Sequence, residues 1–217
     1  MSERLETKKF VFTVEGETEK WYLYWLKDQI NQCKNRSFNA FMDAKVQPSP
    51  EKFYKTVNVK TTPEVYHICD VESNDPEHVK KFQRILSEMK AAKTQKKIIY
   101  KLGYSNFTFE LWIVLHKQIC NRCLIHRKQY LDIINKAFQE KFESLDQYKH
   151  EDNFKRCLGK ITLDDVKEAI RRADFITFNN EKDEKVLINH KGYSYYRDNP
   201  ALSIQDAAKM IIEECGV

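Results

Sequence analysis

The sequence predicts an α/β fold, a mostly parallel sheet flanked by helices with an α-helical elaboration toward the C-terminus. Three observations carry that expectation. Short apolar runs rich in β-formers, two of them ending at an acidic residue, alternate with longer segments of helical period. Gly and Pro number only five each in 217 residues, too few for a loop-rich all-β design. Hydrophobic residues make up 41%, with 13 Phe, 11 Tyr and 3 Trp, which is enough for a packed core and excludes disorder as the default.

Taken in order, Lys9–Val14 is a compact β-rich run that stops at Glu15-Gly16, so it reads as a buried strand. Thr18 is a candidate cap for a helix in which Trp21, Tyr22, Tyr24, Trp25, Leu26 and Ile30 recur at helical spacing. Residues 35–52, with Pro48 and Pro50, show no clear period and read as a loop or insertion. Lys55–Lys60 alternates weakly, as a strand would, and Val65–Cys69 is a stronger strand ending at Asp70. Asp75-Pro76 marks a helix start, with Asp as cap and Pro at the first helical position. Val79, Phe82, Leu86 and Met89 form that helix's apolar stripe. Ile98–Lys101 is the next strand, leading through Gly103 and Ser105 into Phe107–Ile119, an apolar segment that reads as a buried helix.

After Asn121 the composition changes. Tyr130–Phe142, Leu163–Arg172 and Ile204–Glu213 read as helices, the last two capped by Thr162 and Ser203 with Asp165 and Asp206 three residues on, as in a capping box. Residues 144–160 and 179–200 read as polar connections. The expected organisation is a core over residues 1–120 and a mainly helical region over 121–217, which could equally pack into the same domain.

No stretch of about 18 uncharged apolar residues occurs, so no membrane span is expected. The Met1–Glu6 segment lacks the apolar run of a signal peptide, which points to a cytoplasmic protein with six reduced cysteines. The net charge of +5 is compatible with a polyanionic partner without identifying one. Its distribution says more: Lys90, Lys93, Lys96, Lys97 and Lys101 fall close together, while acidic residues concentrate at Asp70–Glu77. Taken alone, the lysine run reads more simply as a solvated helix end.

Glu15 directly follows one strand, and Asp70 with Glu72 follows another. Ligands of doubly wound sheets bind beyond the carboxyl ends of strands. Adjacent parallel strands would bring these ends within roughly 5–10 Å, from a strand spacing of about 4.8 Å. Three carboxylates that close repel and gain proton affinity unless a cation sits among them. Oxygen ligands suit Mg²⁺ or Mn²⁺, which activate water and neutralise phosphate charge. The bland alternative is that such acids merely cap turns after strands.

Three segments carry a resemblance. Val14-Glu15-Gly16-Glu17-Thr18-Glu19, Cys69-Asp70-Val71-Glu72 and Ser105-Asn106-Phe107-Thr108-Phe109-Glu110-Leu111-Trp112 (with His116 beyond) resemble the RloB family. Asn199-Pro200-Ala201-Leu202-Ser203 resembles that family's terminal Asn-Pro segment. The resemblance implies a compact Toprim-like domain related to nucleases of the overcoming-lysogenization-defect type, encoded beside ATPases in antiphage-defence loci. It therefore implies a Mg²⁺- or Mn²⁺-dependent DNA or RNA endonuclease with a partner ATPase. An effector of that kind is expected not to act alone, a homo-oligomer being one form of this. Glu15 matches the Toprim glutamate, and Asp70 with Glu72 the Asp-x-Asp element, so these three are the expected catalytic and metal-holding residues. Glu19, within the first matching string, is a supporting candidate. Two departures stand out: Glu rather than Asp at position 72, and Phe107 where the family often has Pro. The competing reading is a degenerate Toprim module that binds nucleic acid or its ATPase without catalysis. A phosphatase with an Asp nucleophile fits less well, because no Thr or Ser motif accompanies Asp70.

Five further candidates complete the set. Asn106 and Glu110, four apart, would share a helix face and support the metal site. Lys101, at its strand's end, would stabilise the scissile phosphate, and Lys96 and Lys97 would contact nucleic acid. His116 reads as a structural histidine, and His116, Cys120, Cys123 and His126 as incidental neighbours rather than zinc ligands, since one straight helix cannot wrap a tetrahedral ion. Tyr193, Tyr195, Tyr196 and Arg197 interleave aromatics with charge, as a base-stacking surface does, but fit an ordinary hairpin better.

Overall fold

In the computed structural model, which describes residues 5–58 and 63–217, a five-stranded sheet runs in the order β2-β1-β3-β4-β7. Strands β1 (Thr7–Val14), β2 (Asn39–Val46), β3 (Glu64–Asp70) and β4 (Ile99–Asn106) are mutually parallel, and β7 (Ala201–Leu202) pairs antiparallel with β4. A separate hairpin joins β5 (Leu187–His190) to β6 (Tyr193–Tyr196). The α/β expectation with a mostly parallel sheet holds.

Parallel strands covered on both faces read as continuous apolar runs, and β3 buries Val65 through Cys69 without interruption. Alternate residues feed two cores. Phe10, Phe12, Val14, Tyr66 and Ile68 face α1 (Glu17–Gln32), α4 (Glu110–Leu115), α8 (Leu163–Lys182) and α9 (Ile204–Cys215). Val65, Cys69, Tyr100 and Tyr104 face α2 (Pro50–Thr56), α3 (Pro76–Lys96) and the hairpin. The first cluster also takes in Tyr130, Ile134 and Phe138 of α5 (Tyr130–Phe138), Tyr148 of α6 (Leu145–Lys149) and Phe154 of α7 (Glu151–Leu158), so residues on both sides of position 121 share one core.

Several elements differ from expectation. Residues 35–52 are not a loop: they hold edge strand β2 and the start of α2. The inward positions of β2 are Ala40, Met42 and Ala44, and two alanines leave only Met42 to mark an apolar period. Lys55 and Thr56 end α2 instead of opening a strand, and residues 59 and 60 of that expected strand lie outside the described residues, as do the first four of Met1–Glu6. Gly16, not Thr18, caps α1.

β4 runs on to Asn106, which shortens the expected Phe107–Ile119 helix to the wholly buried α4. Residues 144–160 contain α6 and α7, residues 187–196 contain the hairpin, and α8 is ten residues longer than its apolar period suggests. α5 ends early, where Gln139 turns left-handed (φ 53°). Thr162 caps α8 in a reciprocal box with Asp165, as expected. Ser203 does not cap α9 with its side chain; its hydroxyl donates to the Leu102 carbonyl at 3.0 Å.

The registers position the site. Val14 pairs with Val46 and Ile68, and Asp70 with Ser105, so β1, β2, β3 and β4 end along one sheet edge. Among the described residues no helix is long and apolar enough to cross a membrane.

Candidate functional site

A cavity of about 370 Å³ opens at this carboxyl edge. Glu15, Glu19, Asp70, Glu72, Lys81 and Lys149 line it, with Trp21 and Pro48 on its walls. Glu15 and Asp70 arrive as the residues at the ends of β1 and β3, and the Asp70 backbone N–H donates to Glu15 Oε2 at 2.8 Å. A Cβ on Gly16 would sit 3.1 Å from Glu19 Oε2, so a larger residue there would push that carboxylate aside by a few tenths of an ångström. Helix α1 starts right after Glu15 and brings Glu19 back over the site.

The electrostatics are those of crowded, buried acids. Burial raises the proton affinity of Glu15, opposed by the Asp70 N–H and by Lys81. Asp70 is pushed well above the usual carboxylate range by burial, then by Glu15, Glu19 and Glu110. Glu19, 4% exposed, is raised to about 7 by burial, against hydrogen bonds from its own backbone N–H and from Thr18. Glu110 heads α4 with its side chain 2% exposed. Its Oε1 meets Lys149 Nζ at 2.9 Å, while its Oε2 has no partner among the described residues. Lys149 stays firmly protonated: Glu110, Asp70 and Glu19 outweigh its desolvation.

Glu72 stands apart on the rim. Its backbone is left-handed (φ 66°), a region that non-glycine residues rarely occupy, held by an N–H donated to the Phe107 carbonyl at 2.9 Å. Its carboxylate meets Lys81 at 2.6 Å, His78 at 3.4 Å and Arg127 at 4.0 Å. Desolvation notwithstanding, Lys81 foremost and then His78 and Arg127 hold it below the usual carboxylate range. Lys81 also stands 3.5 Å from Glu15 Oε1, so one ammonium bridges two of the three expected metal-holding acids.

Oxygen donors alone, an orphaned buried carboxylate oxygen and proton affinities raised by mutual repulsion are what a hard divalent cation relieves, so the residues present fit Mg²⁺ or Mn²⁺. Among the described residues no three His, Cys, Asp or Glu side chains stand close enough to hold an ion as they are. Lys81 and Lys149 supply the compensating charge instead.

The structure thus brings Glu15, Glu19, Asp70, Glu72 and Glu110 to one place. It does not bring Lys101 there. Lys101 pairs in register with Tyr66, four residues before Asp70 on the neighbouring strand, about 13 Å from the edge at about 3.3 Å per residue. Its ammonium is engaged by Glu64 at 2.8 Å and lies over the Tyr66 ring. Lys96 and Lys97 close the far end of α3, about 30 Å along the helix from Pro76 at 1.5 Å per residue. They do not rim the acidic cavity. Asn106 ends β4 and shares no helix with Glu110; its amide donates to the Arg197 carbonyl at 2.9 Å, anchoring the end of the hairpin.

His116 is fully buried with both ring nitrogens engaged, by the Tyr22 hydroxyl and the Trp112 carbonyl. Cys123 is engaged with the Asn199 carbonyl. Tyr195 and Tyr196 are buried, Tyr195 stacking edge-on with Phe82.

Sequence reasoning missed Lys81, Lys149, Arg127 and His78. A signal existed for two of them: His78 and Lys81 lie in the first turns of the helix that follows Asp70-Val71-Glu72, which places them beside the strand end. Lys149 and Arg127 had none, since only the tertiary fold brings them in.

A family model described as RloB-like protein matches residues 10–204. No curated protein and no solved structure is significantly similar to the chain.

Proposed function

The chain belongs to the RloB-like family, and from that premise we propose that it is a Toprim-like, Mg²⁺- or Mn²⁺-dependent phosphodiester hydrolase acting on DNA or RNA. We place it in the cytoplasm, in antiphage defence beside a partner ATPase, as the family resemblance implies. The observation that carries the catalytic reading is the convergence of Glu15, Glu19 and Asp70 on one cavity at the carboxyl edge of a parallel sheet, with the buried Glu110 near enough to raise the proton affinity of Asp70. Burying carboxylates against one another costs several kcal/mol per uncompensated ion. A fold retains such a cluster only where something offsets that cost.

Glu15, Asp70 and Glu72 are the residues that would hold the metal, with Glu19 and Glu110 behind them. The bound ion would neutralise phosphate charge and supply a nucleophilic water. The chain's own residues do the rest. The Asp70 N–H fixes Glu15 in orientation. Lys81, ion-paired to both Glu15 and Glu72, is placed to meet a phosphate oxygen at the mouth of the cavity. Lys149 fixes Glu110 from the opposite side. Trp21 and Pro48 add an apolar part to the cavity walls.

A second reading has its own support. With Lys81 already bridging Glu15 and Glu72, the site is partly neutralised without a metal, as a non-catalytic module that binds nucleic acid or an ATPase would be. Cleavage separates the two. The purified chain should nick plasmid DNA or cut transfer RNA with Mn²⁺ and not with chelator, and Asp70→Asn should abolish this. Tight nucleic-acid binding without any cleavage would favour the module.

A further inference from the structure

A second cavity, about 430 Å³, lies between the start of α5 and Glu143–Asp146 at the start of α6. It shares Lys149 with the acidic cavity, and its Arg127 reaches Glu72 on the other's rim. The two cavities therefore lie side by side, with Lys149 and the Arg127–Glu72 pair between them. We infer that this cavity is a subsite for an unpaired nucleotide adjoining the cleaved phosphate, so that the substrate is single-stranded or locally unpaired nucleic acid. The inference rests on the phosphodiesterase reading of the acidic cavity and adds the form of its substrate.

The chemistry of the walls matches a nucleotide part by part. Leu131 and Leu145, half-buried and packed on the main core, form an apolar floor suited to a base face. Arg127 and Lys128 supply cations for the backbone phosphate, and Lys149 marks the side toward the acids. Glu143 and Asp146 offer acceptors, which suit the amino and imino N–H groups of a base. The volume falls within the range of about 300–1,000 Å³ typical of small-ligand sites.

A paired base cannot use such a cavity. In a duplex its faces are covered by neighbours and its hydrogen-bonding edge by its partner, so entry requires leaving the stack. The cost is least where the strand is already single.

Binding of short fluorescent oligonucleotides to the full chain, in chelator so that no turnover intervenes, tests this. Single-stranded DNA and RNA should bind about tenfold or more tightly than blunt duplex, the scale of the few kcal/mol that unpairing and unstacking a base costs. The DNA and RNA arms identify the sugar. Leu145→Trp, which fills the floor, should remove that preference. Because Leu145 touches the core, the exposed pair Arg127→Ala, Lys128→Ala serves as a second variant and should weaken single-strand binding with a shallower salt dependence. Equal binding of single strand and duplex by the parent, or parental binding by a folded Leu145→Trp and by the double variant, would overturn the inference. Expected binding without cleavage in Mn²⁺ would instead count against the phosphodiesterase reading alone.

Discussion

Lys149 Nζ stands 2.9 Å from Glu110 Oε1, so the cation that offsets a carboxylate with only 2% of its side chain exposed comes from a five-residue helix 39 positions away in the chain. This ion pair ties the helical C-terminal half to the acidic edge of the sheet. Removing one partner of a buried pair strands the other's charge. Lys149→Met should therefore destabilise the protein. The side chain of Lys149 is 38% exposed, so the loss should fall below the 3–5 kcal/mol of a fully buried pair, at about 1–3 kcal/mol. Added Mn²⁺ should raise the melting temperature of this variant more than that of the parent, because the ion replaces the missing charge. Calorimetry with and without Mn²⁺ measures both, and an equal Mn²⁺ shift in the two proteins would separate Glu110 from the metal.

Glu15→Gln should keep the fold, since the glutamine carbonyl can still accept the Asp70 N–H bond and one of several repelling charges is gone. Cleavage should drop by about 10²-fold or more, the scale of removing one electrostatic stabiliser from a site. Thermal melting alongside single-turnover cleavage checks the pair of outcomes. A variant that cuts at the parental rate would return Glu15 to a structural role.

Much of this site was legible because parallel strands end at one sheet edge, so acids just past β1 and β3 had to be neighbours. Its cations were not legible in the same way. Lys149 reaches Glu110 only through a short helix that the sequence disguises as a polar connection. Glu110 was placed with Asn106 on one helix because nothing in Gly103-Tyr104-Ser105 announces that β4 continues to Asn106. Strand β2 escaped for a different reason: Ala40 and Ala44 bury too little apolar area to mark a period.

The imidazole of His67 is wholly buried in β3, bonded through Nδ1 to the Thr13 hydroxyl at 2.8 Å with no partner for Nε2 among the described residues. Burial lowers its pKa from 6.5 to about 3. The unfolded chain then binds the proton first. This contribution to stability is complete above pH 6.5 and declines as pH falls toward 3. Between pH 6.5 and 5 this group's loss should be about 1.6 kcal/mol, approaching 1.36 kcal/mol per unit only below pH 6. Because the raised carboxyls of Glu15, Glu19 and Asp70 gain stability as pH falls over the same range, the His67 contribution is read as the difference between the parent and His67→Gln in urea titrations at the two pH values. An equal slope in the two proteins would assign the acid sensitivity to other groups.

Lys81 and Lys101 make a matched test of where the site lies, since both are lysines paired with glutamates and similarly exposed, at 42% and 41%. Lys101 pairs with Glu64 in the N-terminal half of the sheet, away from the acidic cavity, and exposed pairs of that kind contribute about 0–1 kcal/mol. Lys101→Ala should leave cleavage and metal affinity unchanged and move stability by no more than that. Lys81 is different because it bridges Glu15 and Glu72 across the cavity mouth. Lys81→Ala removes the internal competitor for those two carboxylates, so Mn²⁺ should bind more tightly, by about tenfold for each 1.4 kcal/mol of competition relieved. Cleavage should nonetheless slow, because the cation facing the phosphate is lost. Tighter metal with slower chemistry is a signature that simple destabilisation does not produce. Calorimetric Mn²⁺ titration beside single-turnover cleavage reads both. If Lys101→Ala slows cleavage while Lys81→Ala does not, the reacting phosphate lies nearer the middle of the sheet than its carboxyl edge.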